Sequence, residues 1–120
     1  MSWTISKKFR FSASHQIDSL HDGHPCKRLQ GHNYTAEFIF KNRYLDEHGF
    51  VIDFRDTAKI QSTIDKDWDH RHLNDVIANT TSEWIAETFF SMWKTQFPSL
   101  VAVRVSETDS TWAEYRREDV

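Results

Sequence analysis

Two histidines and the residues around them are where chemistry would be sought first in this chain. His15 closes one stretch of alternating polarity, His32 opens another, and Gln30 stands two residues before His32. If the two stretches pair as an antiparallel hairpin, both imidazoles come to one end of a sheet, with Gln30 on the same side. Imidazole is the commonest zinc ligand, and catalytic zinc takes three protein ligands with a fourth position open, so a third donor is needed. The Gln30 amide oxygen is neutral and harder than imidazole, which makes it a poor donor for zinc. The plainer reading is of two polar residues at strand ends.

Three further features carry possible chemistry. Cys26 is the only cysteine, which excludes an intrachain disulfide and a cysteine-rich zinc site. Its neighbours Lys27 and Arg28 would favour the thiolate, the reactive form, although a lone thiol also serves as passive core filler. Asp69 adjoins His70, and a carboxylate beside an imidazole can orient it and raise its basicity for proton transfer. The alternative there is a solvated turn over residues 67–75. Glu107 continues the face of Val101, Val103 and Val105, so a carboxylate is aimed where an apolar residue is expected, and it needs a partner. A planar ligand with two adjacent N–H donors, such as the 2-amino-4-oxo edge of a pterin or guanine, would satisfy it with two parallel hydrogen bonds. A solvated strand end is the alternative.

The elements that must position these residues follow from periodicity. Residues 3–15 alternate with Phe9, Phe11 and Ala13 on one side and Lys8, Arg10 and Ser12 on the other, which predicts a half-buried strand. Residues 33–44 predict a second strand through Tyr34, Ala36, Phe38 and Phe40. The connection between them, residues 16–32, is long for a loop, and such loops are commonly functional. Asp53 is placed to cap a helix with Phe54, Ala58, Ile64 and Trp68 on one face. Thr80 with Glu83 has the form of a capping box before Ile85, Phe89, Met92 and Trp93, a second helix ending ahead of Pro98. Val101, Val103 and Val105 mark a third strand, and Asp109-Ser110 turns the chain into a last one through Trp112 and Tyr115. The expected fold is α+β in the order ββααββ, a four-stranded antiparallel sheet with two helices on one face, in one domain over residues 1–120. Two open sheet edges predict a homo-oligomer, since exposed edges must be covered or paired.

Composition narrows the partners. Of 120 residues, 38% are hydrophobic and 28% charged, with nine Phe, five Trp and three Tyr, too aromatic for disorder and too polar for a membrane protein. A net charge of −3 without a basic block disfavours nucleic acid. Lys7, Lys8 and Arg10 near the start are not followed by an apolar segment, so no secretory signal is read and a cytoplasmic location is expected.

Several motifs, in order, resemble the 6-pyruvoyltetrahydropterin synthase and 6-carboxytetrahydropterin synthase family of the tunnelling fold. They are Phe11-Ser12-Ala13-Ser14-His15, Cys26-Lys27-Arg28-Leu29-Gln30-Gly31-His32-Asn33-Tyr34, Val51-Ile52-Asp53-Phe54, Asp69-His70-Arg71-His72-Leu73-Asn74, Thr80-Thr81-Ser82-Glu83 and Ser106-Glu107-Thr108. The short gap from Cys26 to Gly31-His32 looks like the 6-carboxytetrahydropterin branch of queuosine and deazapurine synthesis. The resemblance implies a zinc-dependent lyase acting on 7,8-dihydroneopterin triphosphate. It implies Zn2+ on His15 and His32, Cys26 as the proton-abstracting thiolate and Asp69-His70 as its relay partner. It implies Glu107 as the anchor of the pterin ring, helped by backbone groups near Thr80 and Thr81. It also implies three subunits whose sheets join into a barrel, as a homotrimer or a stacked homohexamer. The chain departs from the family at Gln30, where most members have a histidine ligand; Gln30 itself, His21 or His24 would have to make good the loss. A catalytically weakened pterin- or purine-binding relative is the alternative expectation.

Overall fold

A computed structural model describes residues 1–118. In chain order the elements are β1 (Trp3–His15), β2 (Gln30–Asn42), α1 (Ala58–Asp67), β3 (Arg71–His72), α2 (Ser82–Trp93), β4 (Leu100–Thr108) and β5 (Thr111–Arg116), with single 3-10 turns between some of them. β1 and β2 pair antiparallel in unbroken register from Trp3 opposite Asn42 to His15 opposite Gln30. Successive strand side chains point to opposite faces. Phe9, Phe11, Ala13 and His15 therefore share a buried face with Tyr34, Ala36, Phe38 and Phe40, while Lys8, Arg10, Thr35 and Glu37 line the opposite, open face.

Both helices cover the apolar face. Ile60 and Ile64 of α1, Trp68 just after it, and Ile85, Ala86, Phe89, Phe90 and Trp93 of α2 are buried in one core with the strand residues. Phe89 stands at its centre, with its ring 4.5 Å from that of Trp68, 5.9 Å from Phe38 and 6.0 Å from Phe11. No helix among the described residues is long and apolar enough to cross a membrane.

The sheet differs from the expected four antiparallel strands. It has five, in the order β3-β1-β2-β4-β5, and is mixed, because β3 runs parallel to β1. Asp69 accepts the Ser12 N–H at 2.8 Å, and the His70 N–H donates to the Ser12 carbonyl at 2.6 Å. His70 then takes a φ of 59°, uncommon for a residue with a side chain, and the chain turns to lay Arg71 and His72 beside Ala13 and Ser14. Other boundaries also shift. β2 begins at Gln30 rather than residue 33, because the hairpin pairs through to its mouth. Asp53 caps a 3-10 turn, Phe54–Thr57, rather than α1 itself, and this turn leaves Phe54 exposed instead of on the apolar face. The cap of α2 is Thr81, whose hydroxyl accepts from the Trp84 N–H, and not Thr80.

Candidate metal centre and active site

The hairpin register builds the site. His15 lies opposite Gln30, and His32 is its diagonal neighbour on the same face, with ring centroids 5.1 Å apart. Glu107, on the same face of β4 as Val103 and Val105, brings its carboxylate to the pair. Its oxygens lie 3.9 Å from His15 Nε2 and 3.6 Å from His32 Nε2. Donor atoms of His15, His32 and Glu107 all fall within 4.8 Å of one another. The separations to Glu107 exceed hydrogen-bond length, yet they match donors that sit about 2 Å from a shared ion.

His15 and Glu107 are each held from behind, whereas Gln30 meets His32 at Nε2, the nitrogen that faces Glu107. His15 is buried, and its Nδ1 lies 2.9 Å from the Thr80 carbonyl and 3.2 Å from the Thr80 hydroxyl. With Nδ1 as the donor to that carbonyl, the lone pair of Nε2 faces the cluster, the arrangement by which a metal-bound histidine is oriented. Burial is the largest influence on His15 and lowers its pKa against the opposing pull of Glu107 and Thr80, which favours the neutral imidazole a metal requires. Gln30 places its amide oxygen 3.2 Å from His32 Nε2 and donates through its amide nitrogen to the Cys26 carbonyl at 3.1 Å. The Ser82 hydroxyl, at the first residue of α2, donates to Glu107 at 3.1 Å. His15 Nε2 is buried with no hydrogen-bond partner, the kind of orphan that a bound cation would satisfy, so the donor set fits a metal ion.

Cys26 is close in the chain but outside that cluster. The connection folds back on itself, with the Cys26 carbonyl accepting from the Ile17 N–H at 3.2 Å and the Cys26 N–H donating to His24 Nδ1 at 3.0 Å. Its peptide is thereby tied to the residues following β1 and opening β2, while the thiol stays partly exposed. Lys27 turns to Asp22, 2.9 Å away. Neither His21 nor His24 joins the cluster of His15, His32 and Glu107.

Asp69 and His70 form a dyad, Nδ1 to carboxylate 2.9 Å. The Ser12 N–H, aided by His70, holds the Asp69 carboxyl below the usual carboxylate range. An ionised Asp69 takes the Nδ1 proton as a hydrogen bond and leaves His70 Nε2 to exchange protons. The His70 ring is 82% exposed, at a cavity of about 450 Å³ that His32 also lines. A larger cavity, about 680 Å³, opens beside His32 and Glu107 along the open face of the sheet. Thr80 and Thr81 are otherwise engaged: the first backs His15, and the second caps α2.

The family profile described as 6-pyruvoyl tetrahydropterin synthase matches residues 4–118. The chain belongs to this family. Among its relatives, an Archaeoglobus fulgidus protein provisionally named a 6-carboxy-5,6,7,8-tetrahydropterin synthase is 36% identical over 108 residues, 89% of this chain and 90% of that one. The Bacillus subtilis 6-carboxy-5,6,7,8-tetrahydropterin synthase is 28% identical over 96% of this chain and 86% of its own. A Pyrococcus furiosus dihydroneopterin monophosphate aldolase is 32% identical over 72% and 75%. The fold matches the solved Caenorhabditis elegans 6-pyruvoyl tetrahydropterin synthase with a TM-score of 0.84 at 24% identity, covering 98% of this chain and 97% of that one.

Two contributors were not legible as such in the sequence of this family member. Ser82 lies inside a motif that carried the resemblance, yet only the packing of α2 against β4 shows that its hydroxyl serves Glu107. Asn74 clamps the strand end, accepting the Gln16 N–H at 3.0 Å and donating to the Gln16 carbonyl at 2.8 Å. No spacing rule links positions 58 residues apart.

Proposed function

We propose that the chain is a metal-dependent lyase acting on 7,8-dihydroneopterin triphosphate, of the 6-carboxytetrahydropterin synthase type. The observation that carries this reading is the pair of strand-end imidazoles, with a carboxylate beside them and a buried nitrogen left without a partner, in a chain of this family. The relatives named as synthases and as a dihydroneopterin monophosphate aldolase support a pterin substrate and breakage of a carbon–carbon bond in its side chain. Zinc, held by His15 and His32 with the Gln30 oxygen at the rim, would polarise the side-chain oxygens when bound. The remaining roles belong to the polypeptide. Cys26, on a loop tied to both strands that carry the imidazoles, takes a proton from the side chain. Asp69 holds His70 so that Nε2 accepts or returns the second. Backbone groups near Thr80 and Thr81 border the ring. Triphosphate is released, together with acetaldehyde if the product is the carboxy compound and without it if the product is the pyruvoyl compound.

The subunits assemble as a homotrimer or homohexamer, with the open sheet edges as the joining surfaces; sedimentation of the 14.3 kDa chain measures this. The function is tested by incubating zinc-loaded protein with the triphosphate substrate and measuring triphosphate and acetaldehyde. Turnover that Cys26→Ala removes is expected. No turnover by the wild type, with none created by Gln30→His, contradicts the reading. Gln30 favours one second reading, a pterin-binding relative of weak activity; it predicts pterin binding without turnover.

A further inference from the structure

The hairpin of β4 and β5 carries an aromatic residue beside the site that neither the imidazole–carboxylate cluster nor the proton-transfer groups use. We propose that Trp112 is a binding residue for the planar ring of the ligand, its indole stacking on the bicycle whose N–H edge Glu107 accepts. The inference rests on the pterin reading and on the part in it that the resemblance implies for Glu107; it adds the residue that holds the ring by its face.

Three observations converge on it. Val105 pairs with Ala113 and Thr108 with Thr111, so two residues of β4, Ser106 and Glu107, stand opposite the single residue Trp112 of β5. A bulge of this kind re-aims side chains and recurs next to active sites, and here it sets Glu107 and Trp112 across from one another. Both residues line the cavity of about 680 Å³, a volume ample for a bicyclic ring. The indole is also braced. The Arg104 guanidinium covers one face at 4.2 Å from the ring centroid, and Arg104 Nε donates at 2.8 Å to Glu114, which accepts from Arg116 at the same distance. Trp112 is nevertheless 59% exposed, so a pre-positioned aromatic surface is left beside the cavity at little further cost in side-chain freedom. A pterin is planar and electron-poor. It stacks offset on an electron-rich indole while its amino-oxo edge makes two parallel hydrogen bonds to a carboxylate. Edge recognition alone admits one ring or two; a stacking wall rewards the second ring.

Titration of the full chain with neopterin, followed by pterin fluorescence, tests this without turnover. The wild type is expected to bind with quenching. Trp112→Ala is expected to weaken binding by about 10-fold with sedimentation unchanged. Isocytosine, which carries the same edge on a single ring, should lose less. Trp112→Phe should keep most of the affinity and quench less. Neopterin affinity unaltered by Trp112→Ala, with Glu107→Gln still weakening it, would overturn the proposal and leave the pterin reading standing. Equal losses for neopterin and isocytosine together with altered sedimentation would assign the indole to a subunit contact and overturn the proposal as well. No neopterin binding by the wild type would overturn both.

Discussion

Asp69 does two jobs with one carboxylate: it accepts the Ser12 N–H that starts the parallel pairing of β3, and it orients His70. Asp69→Asn keeps the shape but can present its amide nitrogen to His70 and so favour the wrong tautomer. Turnover should fall by about 10²- to 10⁴-fold with metal content unchanged, measured by triphosphate release and elemental analysis. Equal losses of metal and rate would mean that the residue acts through the fold. Glu114 gives a residue-scale prediction about stability. Arg116 and Arg104 each hold it at 2.8 Å, and with Arg116 as the larger influence its carboxyl lies below the ordinary range. A folded-state pKa below the unfolded one gives stability that is present above about pH 4.3 and lost as pH falls through the folded value. Glu114→Gln should therefore melt below the wild type at pH 7, and the gap should close on acidification beneath pH 4. A gap independent of pH would refute the ion-pair account. Single residues were partly legible from sequence: His15, His32 and Gln30 meet where strand parity puts them, and Glu107 points to the face that alternation assigns. The partners of Glu107 were not legible, because Ser82 reaches it from an element whose packing no local pattern encodes.

At the scale of elements, period carries far and fails where other contacts decide. The long hairpin was readable because alternation persists along both arms, and α2 was readable from its apolar spacing. β3 has two residues, too few for any period, and exists through the left-handed turn at His70 and its bonds to Ser12. The start of α2 was misplaced by one residue because two threonines compete for the cap, and Thr80 is drawn to His15. Thr81→Ala should cost about 1 kcal/mol in denaturant unfolding through the lost cap bond to Trp84. Phe89→Ala is far more severe: its ring is fully buried among Phe11, Phe38 and Trp68, and truncation should cost about 3–5 kcal/mol. A loss under 1 kcal/mol would show that the helix–sheet core is not packed as described.

For the whole molecule, the fold sets a cluster able to hold a metal at the mouth of the hairpin, with Cys26 on the connection and the Asp69-His70 pair at the sheet edge, the segments to which the proposed function gives proton transfer. Strand and helix content were legible from sequence; a mixed sheet and a carboxylate beside the imidazoles were not, since both depend on contacts between distant parts of the chain. Because the donors meet only in the folded state, a bound ion stabilises it by mass action, about 2.7 kcal/mol at a hundredfold excess over the dissociation constant. The most direct measurement is zinc content per chain by elemental analysis, after loading and exhaustive dialysis, of the wild type and of His15→Ala. Near one zinc per chain in the wild type and near zero in the variant is the predicted result. A wild type that retains none would contradict the central claim.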